Sequence, residues 1–181
     1  MRVGYYYCDN VLTPDECQHL IEAGQADLMP ALIDGGNTPD KKLRAGQTSF
    51  FCRGDSPEND ELLGRVVDAM CWASNEAYGH GLAQIEPIQF TDYGPGDHYA
   101  WHYDQHGIKA DGNRIERDVS ASLELCDPES YEGGGLEFFG LPHPIPERRQ
   151  GRLIVFSSMM VHRARRIKAG RRCSLVLWGH A

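Results

Sequence analysis

The sequence predicts a mainly β fold with flanking α-helices: a jelly-roll core packed against N-terminal helices. Two observations carry this. After Gly81 the apolar residues fall into seven short runs separated by turns, at 85–93, 98–103, 119–126, 136–139, 152–156, 162–167 and 172–178. That spacing is the signature of a β-sandwich or jelly roll. Before Gly81, two stretches repeat their apolar residues at helical intervals. A third observation concerns organisation. No Gly-rich or Pro-rich linker separates the two parts, so 1–181 reads as one domain, with 1–84 as a helical support region and 85–181 as the core.

The elements follow in order. Val3 to Cys8 is aromatic-rich and suits an edge strand. Thr13-Pro14-Asp15-Glu16 opens a helix: Thr13 suits the N-cap, Pro14 the first turn, and Glu16 completes a capping box. This helix is expected to run to about Ala26, with Cys17, Leu20 and Ile21 on its apolar face. Residues 33–42 have the composition of a loop. Thr48 to Cys52 is a short strand. Glu58 to Tyr78 is the clearest helix, with Leu62, Val66, Met70 and Ala73 along one side.

Composition excludes several classes. At 181 residues, a globule buries about 70% of its unfolded surface and needs no disulfide or structural metal to fold. With 41% hydrophobic residues the chain is not disordered. It has no apolar run long enough for a transmembrane helix, and Met1-Arg2-Val3-Gly4-Tyr5 lacks a secretory signal. The net charge of -8 disfavours nucleic acid, whose affinity rests on positive charge. Six cysteines without C-x-x-C spacing read as inert thiols in a reducing, cytoplasmic compartment.

Among eight histidines, two stand out. In His98-Tyr99-Ala100-Trp101-His102-Tyr103-Asp104, residues two apart on a strand share a face, so His102 and Asp104 point into one space. Imidazole with carboxylate suits a first-row divalent metal, and two histidines with one carboxylate leave positions open on Fe(II). A helical zinc site from His98, His102 and His106 is disfavoured. Gly94-Pro95-Gly96 breaks a helix, Tyr99, Trp101 and Tyr103 favour a strand, and no H-E-x-x-H motif is present. The third ligand is expected to be His162, after the apolar strand 152–156. His143 lies in a Pro-rich loop, and His180 is expected to be exposed at the terminus.

Strand 172–178 places Arg172, Ser174, Val176 and Trp178 on one face and Cys173, Leu175 and Leu177 on the other. A guanidinium beside a hydroxyl holds a carboxylate. A metal with open positions near such a clamp implies a small dicarboxylic cosubstrate. Arg163, Arg165, Arg166, Lys168 and Arg171 are read as a solvated face.

With these residues in place, the sequence resembles the Fe(II)- and 2-oxoglutarate-dependent dioxygenases, and most closely their prolyl 4-hydroxylase-type branch. His102-x-Asp104 with His162 resembles the H-x-D…H triad, and Arg172, ten positions later, matches the residue that binds the distal carboxylate of 2-oxoglutarate. Arg172-Cys173-Ser174 resembles the R-x-S form of that site. Tyr93 before Gly94-Pro95-Gly96 resembles a cosubstrate-contacting tyrosine, and Trp178 an aromatic that closes the strand. Tyr131-Glu132-Gly133-Gly134-Gly135-Leu136 resembles the Y-x-G-G-x-L turn.

The resemblance implies a double-stranded β-helix, Fe(II), 2-oxoglutarate and O2. Catalytic and metal-binding roles fall on His102, Asp104 and His162, and cosubstrate contacts on Arg172, Tyr93 and Ser174. The implied activity is oxidative decarboxylation of 2-oxoglutarate coupled to hydroxylation of a C–H bond, in a small molecule, an amino acid or a peptidyl proline. Two departures matter. Leu123-Glu124 stands where some prolyl hydroxylases have a tyrosine, and an acid there is unfavourable unless it faces away or pairs. Gly135 replaces a more usual Glu or Thr and is expected to loosen its turn. The loop 105–116 is read either as a lid or as ordinary surface, and Arg117 as a substrate contact or a surface pair. The competing readings are a non-catalytic metal-binding jelly roll, and a nucleic-acid demethylase of the same chemistry, whose R-x-N-x-T-x-R pattern is absent.

Overall fold

The computed structural model describes residues 4–32, 40–54, 56–79, 81–108 and 114–181. Most of the loop expected at 33–42, and the tip of the segment 105–116, lie outside these residues. The elements in chain order are β1 (Tyr6–Cys8), α1 (Pro14–Gly24), β2 (Met29–Pro30), β3 (Arg44–Ala45), β4 (Gln47–Phe51), α2 (Pro57–Tyr78), β5 (Gln84–Ile85), β6 (Ile88–Tyr93), β7 (His98–His102) and β8 (His106–Ile108). They continue with β9 (Arg114–Glu116), β10 (Val119–Glu124), β11 (Glu132–Gly133), β12 (Leu136–Phe138), β13 (Leu153–Ser157), β14 (His162–Ala164), β15 (Ile167–Ala169) and β16 (Arg172–His180).

Both expected helices form, for the expected reasons. The Thr13 hydroxyl accepts from the Glu16 N–H (3.4 Å) and the Glu16 carboxylate accepts from the Thr13 N–H (2.8 Å), closing the capping box. Helix α2 starts where the Ser56 hydroxyl accepts from the Asn59 N–H. Cys17 and Leu20 of α1 and Leu62, Val66, Met70 and Ala73 of α2 are buried in one cluster with Leu123, Leu153, Val155, Leu175 and Leu177 of the main sheet. Each large aliphatic side chain buried there contributes about 1.5–3 kcal/mol.

The strands form two principal antiparallel sheets. The larger has eight, in the order β1-β13-β10-β16-β6-β4-β2, with β5 also paired to β16. The smaller runs β12-β14-β7-β3. Alternation in β16 is as expected: Cys173, Leu175 and Leu177 enter the core beneath the helices, and Arg172, Ser174, Val176 and Trp178 line a cavity bordered by both sheets. This arrangement, with its helices on one face, is the jelly roll.

Several details differ from the expectations. Besides the expected strands β1 and β4, both in the larger sheet, the first 84 residues supply β2 to that sheet and β3 to the smaller one. The run 162–167 divides into β14 and β15, which pair in different sheets. Residues 106–108 and 114–116 pair as a hairpin rather than a plain loop. Gly133, Gly134 and Gly135 all have positive φ (79°, 57° and 80°), so the third glycine meets a backbone demand and does not loosen the turn. A Cβ at Gly133 would sit 2.4 Å from the Arg166 carbonyl oxygen, so β11 approaches its neighbour closely.

Candidate active site

His102 ends β7 and His162 begins β14, and the register sets them directly opposite one another. Asp104 lies two residues past His102, held by its N–H to the Ser158 carbonyl (2.9 Å). The three side chains offer ligand atoms that all lie within 4.8 Å of one another, and they form the one such group among the described residues. His98 and His106 are not in it, which disposes of the helical zinc site. His143 is in an exposed loop. His180 is not free at the terminus: its ring nitrogens bond the Glu116 carbonyl (2.6 Å) and Glu86 (3.0 Å).

The backbone settles which imidazole nitrogens are available. His102 Nδ1 lies 2.8 Å from the Ala100 carbonyl and His162 Nδ1 2.9 Å from the Met160 carbonyl. A carbonyl can only accept, so each Nδ1 carries the hydrogen and each neutral ring leaves Nε2 bare. His102 Nε2 and His162 Nε2 approach the two Asp104 oxygens at 3.4 and 3.6 Å. Bare nitrogens facing a buried carboxylate form a ready site for a cation. Burial pushes the His162 imidazole below its ordinary value, which favours the neutral, ligating form. Burial alone would raise the Asp104 carboxyl, yet His102 and His162, when they carry a second proton, hold it well below the usual carboxylate range. The donor set therefore fits a first-row divalent metal with positions left open.

The cavity around this cluster opens to solvent. Tyr93, Ser174 and Arg172 all line it. Tyr93 and Arg172 are direct cross-strand partners of β6 and β16. Ser174 shares its hydroxyl with Thr91 (2.7 Å) and accepts from Arg172 Nη1 (3.3 Å). Glu124, the departure from the family pattern, is paired: its Oε2 accepts from Arg172 Nε at 2.9 Å, with both side chains buried. Burial opposes the Arg172 charge, but Glu124 outweighs it and holds the guanidinium more firmly protonated than usual.

Sequence reasoning missed Arg44, Gln89 and Tyr99. Tyr99 stacks on the His102 ring (3.5 Å between centroids), and the Arg44 guanidinium lies over Tyr99 (4.7 Å). Arg44 Nε, Gln89 Nε2 and Trp178 Nε1 are buried donors with no hydrogen-bond partner, and all three residues line the cavity. Trp178 Nε1 lies near the Asp104 carboxylate. Orphaned buried donors fit a ligand rich in oxygen acceptors. Arg44 carried no signal, because it stands on a two-residue strand beside an irregular segment. Arg117 is a structural pair: it holds Glu86 through two bonds of 2.7 Å and covers the Trp178 ring. Arg171 is exposed, as expected of the solvated face, and from there it also closes over buried Asp92 (2.7 and 3.1 Å).

Residues 88–180 match the 2OG-Fe(II) oxygenase superfamily. The chain belongs to that superfamily. The oxygenase is 27% identical over 182 residues to a PKHD-type hydroxylase of Crocosphaera subtropica, covering 96% of this chain and 77% of that one. It is 29% identical to a PKHD-type hydroxylase of Methylobacterium nodulans, covering 95% and 76%. Among solved structures it is similar to a Pseudomonas putida prolyl-4-hydroxylase, with a TM-score of 0.73, 25% identity and coverage of 98% and 92%. A Trichoplax adhaerens prolyl hydroxylase in complex with a peptide fragment of hypoxia inducible factor shares the fold at a TM-score of 0.71 and 18% identity, covering 97% and 83%. The oxygenase is therefore an enzyme of the prolyl 4-hydroxylase type, in a family that uses Fe(II) and 2-oxoglutarate. Among its described residues no helix is long and apolar enough to cross a membrane.

Proposed function

We propose that His102, Asp104 and His162 hold Fe(II), that Arg172 holds the distal carboxylate of 2-oxoglutarate, and that the enzyme hydroxylates a C–H bond of a prolyl residue or amino acid. The observation that carries the reading is the convergence of two bare Nε2 atoms and a buried carboxylate beside a buried arginine, in one cavity. When bound, Fe(II) couples the oxidative decarboxylation of 2-oxoglutarate, with O2, to oxygen insertion, leaving succinate and CO2.

The protein's own groups do the rest. The Ala100 and Met160 carbonyls fix the two imidazoles in the ligating tautomer. Thr91 holds Ser174, and Ser174 and Glu124 hold Arg172. Tyr93 and Ser174 are proposed cosubstrate contacts, since they flank Arg172 on the cavity wall. Strands from both halves of the chain pair in the two principal sheets, and both helices pack on the larger one, which supports reading 1–181 as a single domain. The absence of C-x-x-C spacing among the six cysteines supports a reducing, cytoplasmic setting.

The test is succinate formation from 2-oxoglutarate with Fe(II), screened over proline-containing peptides and free amino acids. His102→Ala and Arg172→Ala are expected to abolish turnover. Turnover in His102→Ala equal to that of the parent enzyme removes the triad assignment.

A further inference from the structure

The Arg172 guanidinium is held at two of its three nitrogens. Its Nε donates to Glu124 Oε2 (2.9 Å) and its Nη1 to the Ser174 hydroxyl (3.3 Å), and no other bond engages the terminal nitrogens among the described residues. Glu124 is only 6% exposed, and its Oε1 has no partner. A second cavity of about 300 Å3 clarifies how the two side chains meet. It shares Ser122, Leu136 and Arg172 with the metal-side cavity and includes Glu124, but none of the three metal-site residues. The metal-side cavity includes Arg172 but not Glu124. Glu124 thus reaches the arginine from the side away from the metal cluster.

A planar guanidinium binds a carboxylate best through two parallel N–H groups, so its orientation decides whether it can do so. A long buried arginine without a fixed partner on Nε could rotate that edge into the cavity. We infer that Glu124 is a positioning residue: it ties down the Nε edge of Arg172 so that the terminal nitrogens are presented to a carboxylate of the cosubstrate. This rests on the proposed role of Arg172 as the carboxylate clamp. A carboxylate this close to an anion subsite also repels the ligand, so orientation must outweigh repulsion for Glu124 to help. The two contributions separate experimentally.

Glu124→Gln keeps an oxygen acceptor at the same reach and removes the charge. Glu124→Asp keeps the charge and withdraws the acceptor by one methylene. Binding is measured by calorimetry on Mn(II)-loaded protein, with 2-oxoglutarate and with 2-oxopentanoate, which lacks the distal carboxylate. Glu124→Asp is expected to weaken 2-oxoglutarate about tenfold or more, as loss of a supporting partner does elsewhere, and to leave 2-oxopentanoate unchanged. Glu124→Gln is expected to stay within about threefold of the parent for both ligands, since lost charge assistance and relieved repulsion offset.

The reverse order, with Asp tight and Gln weak, makes Glu124 a counter-ion only and overturns the inference. Equal loss of both ligands in Glu124→Asp overturns it as well, because a structural defect does not distinguish them. If the parent protein binds 2-oxopentanoate as tightly as 2-oxoglutarate, the clamp role of Arg172 fails, and the failure lies in the proposed function rather than in Glu124.

Discussion

Replacing Arg172 tests more than a ligand contact, because the same side chain neutralises a buried acid. In Arg172→Met, Glu124 would keep its charge with neither oxygen bonded: Oε2 loses Arg172 Nε, and Oε1 already lacks a partner. Breaking a buried pair by removing one partner costs about 3–5 kcal/mol. For a chain of this size about 1 kcal/mol moves Tm by about 2–4 °C, so a drop of about 6–20 °C is expected. Removing both charges, as Arg172→Met with Glu124→Leu, leaves no uncompensated ion and is expected to restore stability to within about 1 kcal/mol of the parent. Urea unfolding at neutral pH, followed by tryptophan fluorescence, measures all three proteins. Both variants should lose 2-oxoglutarate binding, and only the single one should be unstable. Equal stability of the single and double variants would refute the claim that the pair is a coupled buried unit.

Two further outcomes follow from the structure. Arg152 donates to both Asp9 oxygens (2.5 and 3.0 Å), and this bond holds the Asp9 carboxyl below its ordinary value. Its stabilisation is complete above the unfolded value near about 4 and is lost as pH falls through the lower folded value. Asp9→Asn should therefore cost about 1 kcal/mol at pH 7, with Asp9 partly exposed, and the gap to the parent should close in acid; a gap that persists there contradicts the pairing. Gly133→Ala forces a side chain into a left-handed conformation and toward the Arg166 carbonyl, and should lower stability by about 2–4 kcal/mol in thermal unfolding. Gly133 lines neither cavity, so the folded fraction should bind 2-oxoglutarate normally.

The site was legible where chemistry follows local periodicity. Alternation placed Arg172, Ser174 and Trp178 on the cavity face of β16, and spacing put His102 with Asp104. It was illegible where pairing partners are distant in sequence. Arg44 enters the cavity because β3 pairs with Tyr99 and His98, and nothing near residue 44 announces that register. The same holds for Glu86, whose bonds to Arg117 and His180 occupy both side chains. The pairing of Glu124 was illegible for the same reason: whether an acid pairs or protrudes is decided by its neighbour across the sheet.

By itself the amino-acid sequence determined the helices, most of the strands, the three candidate ligands and the face that carries Arg172. All but His162 are set by interactions within one segment, through capping, hydrophobic period and side-chain alternation, and His162 was singled out by its place after an apolar strand and by resemblance to the family. Only the tertiary structure decided which imidazole nitrogens are bare, that Glu124 holds Arg172, and that Arg44, Gln89 and Trp178 offer unpartnered donors to the cavity. The imidazole bonds span only two residues but follow from the final backbone and rotamer; the other properties depend on geometry between segments far apart in the chain, which exists only once the sheets have paired.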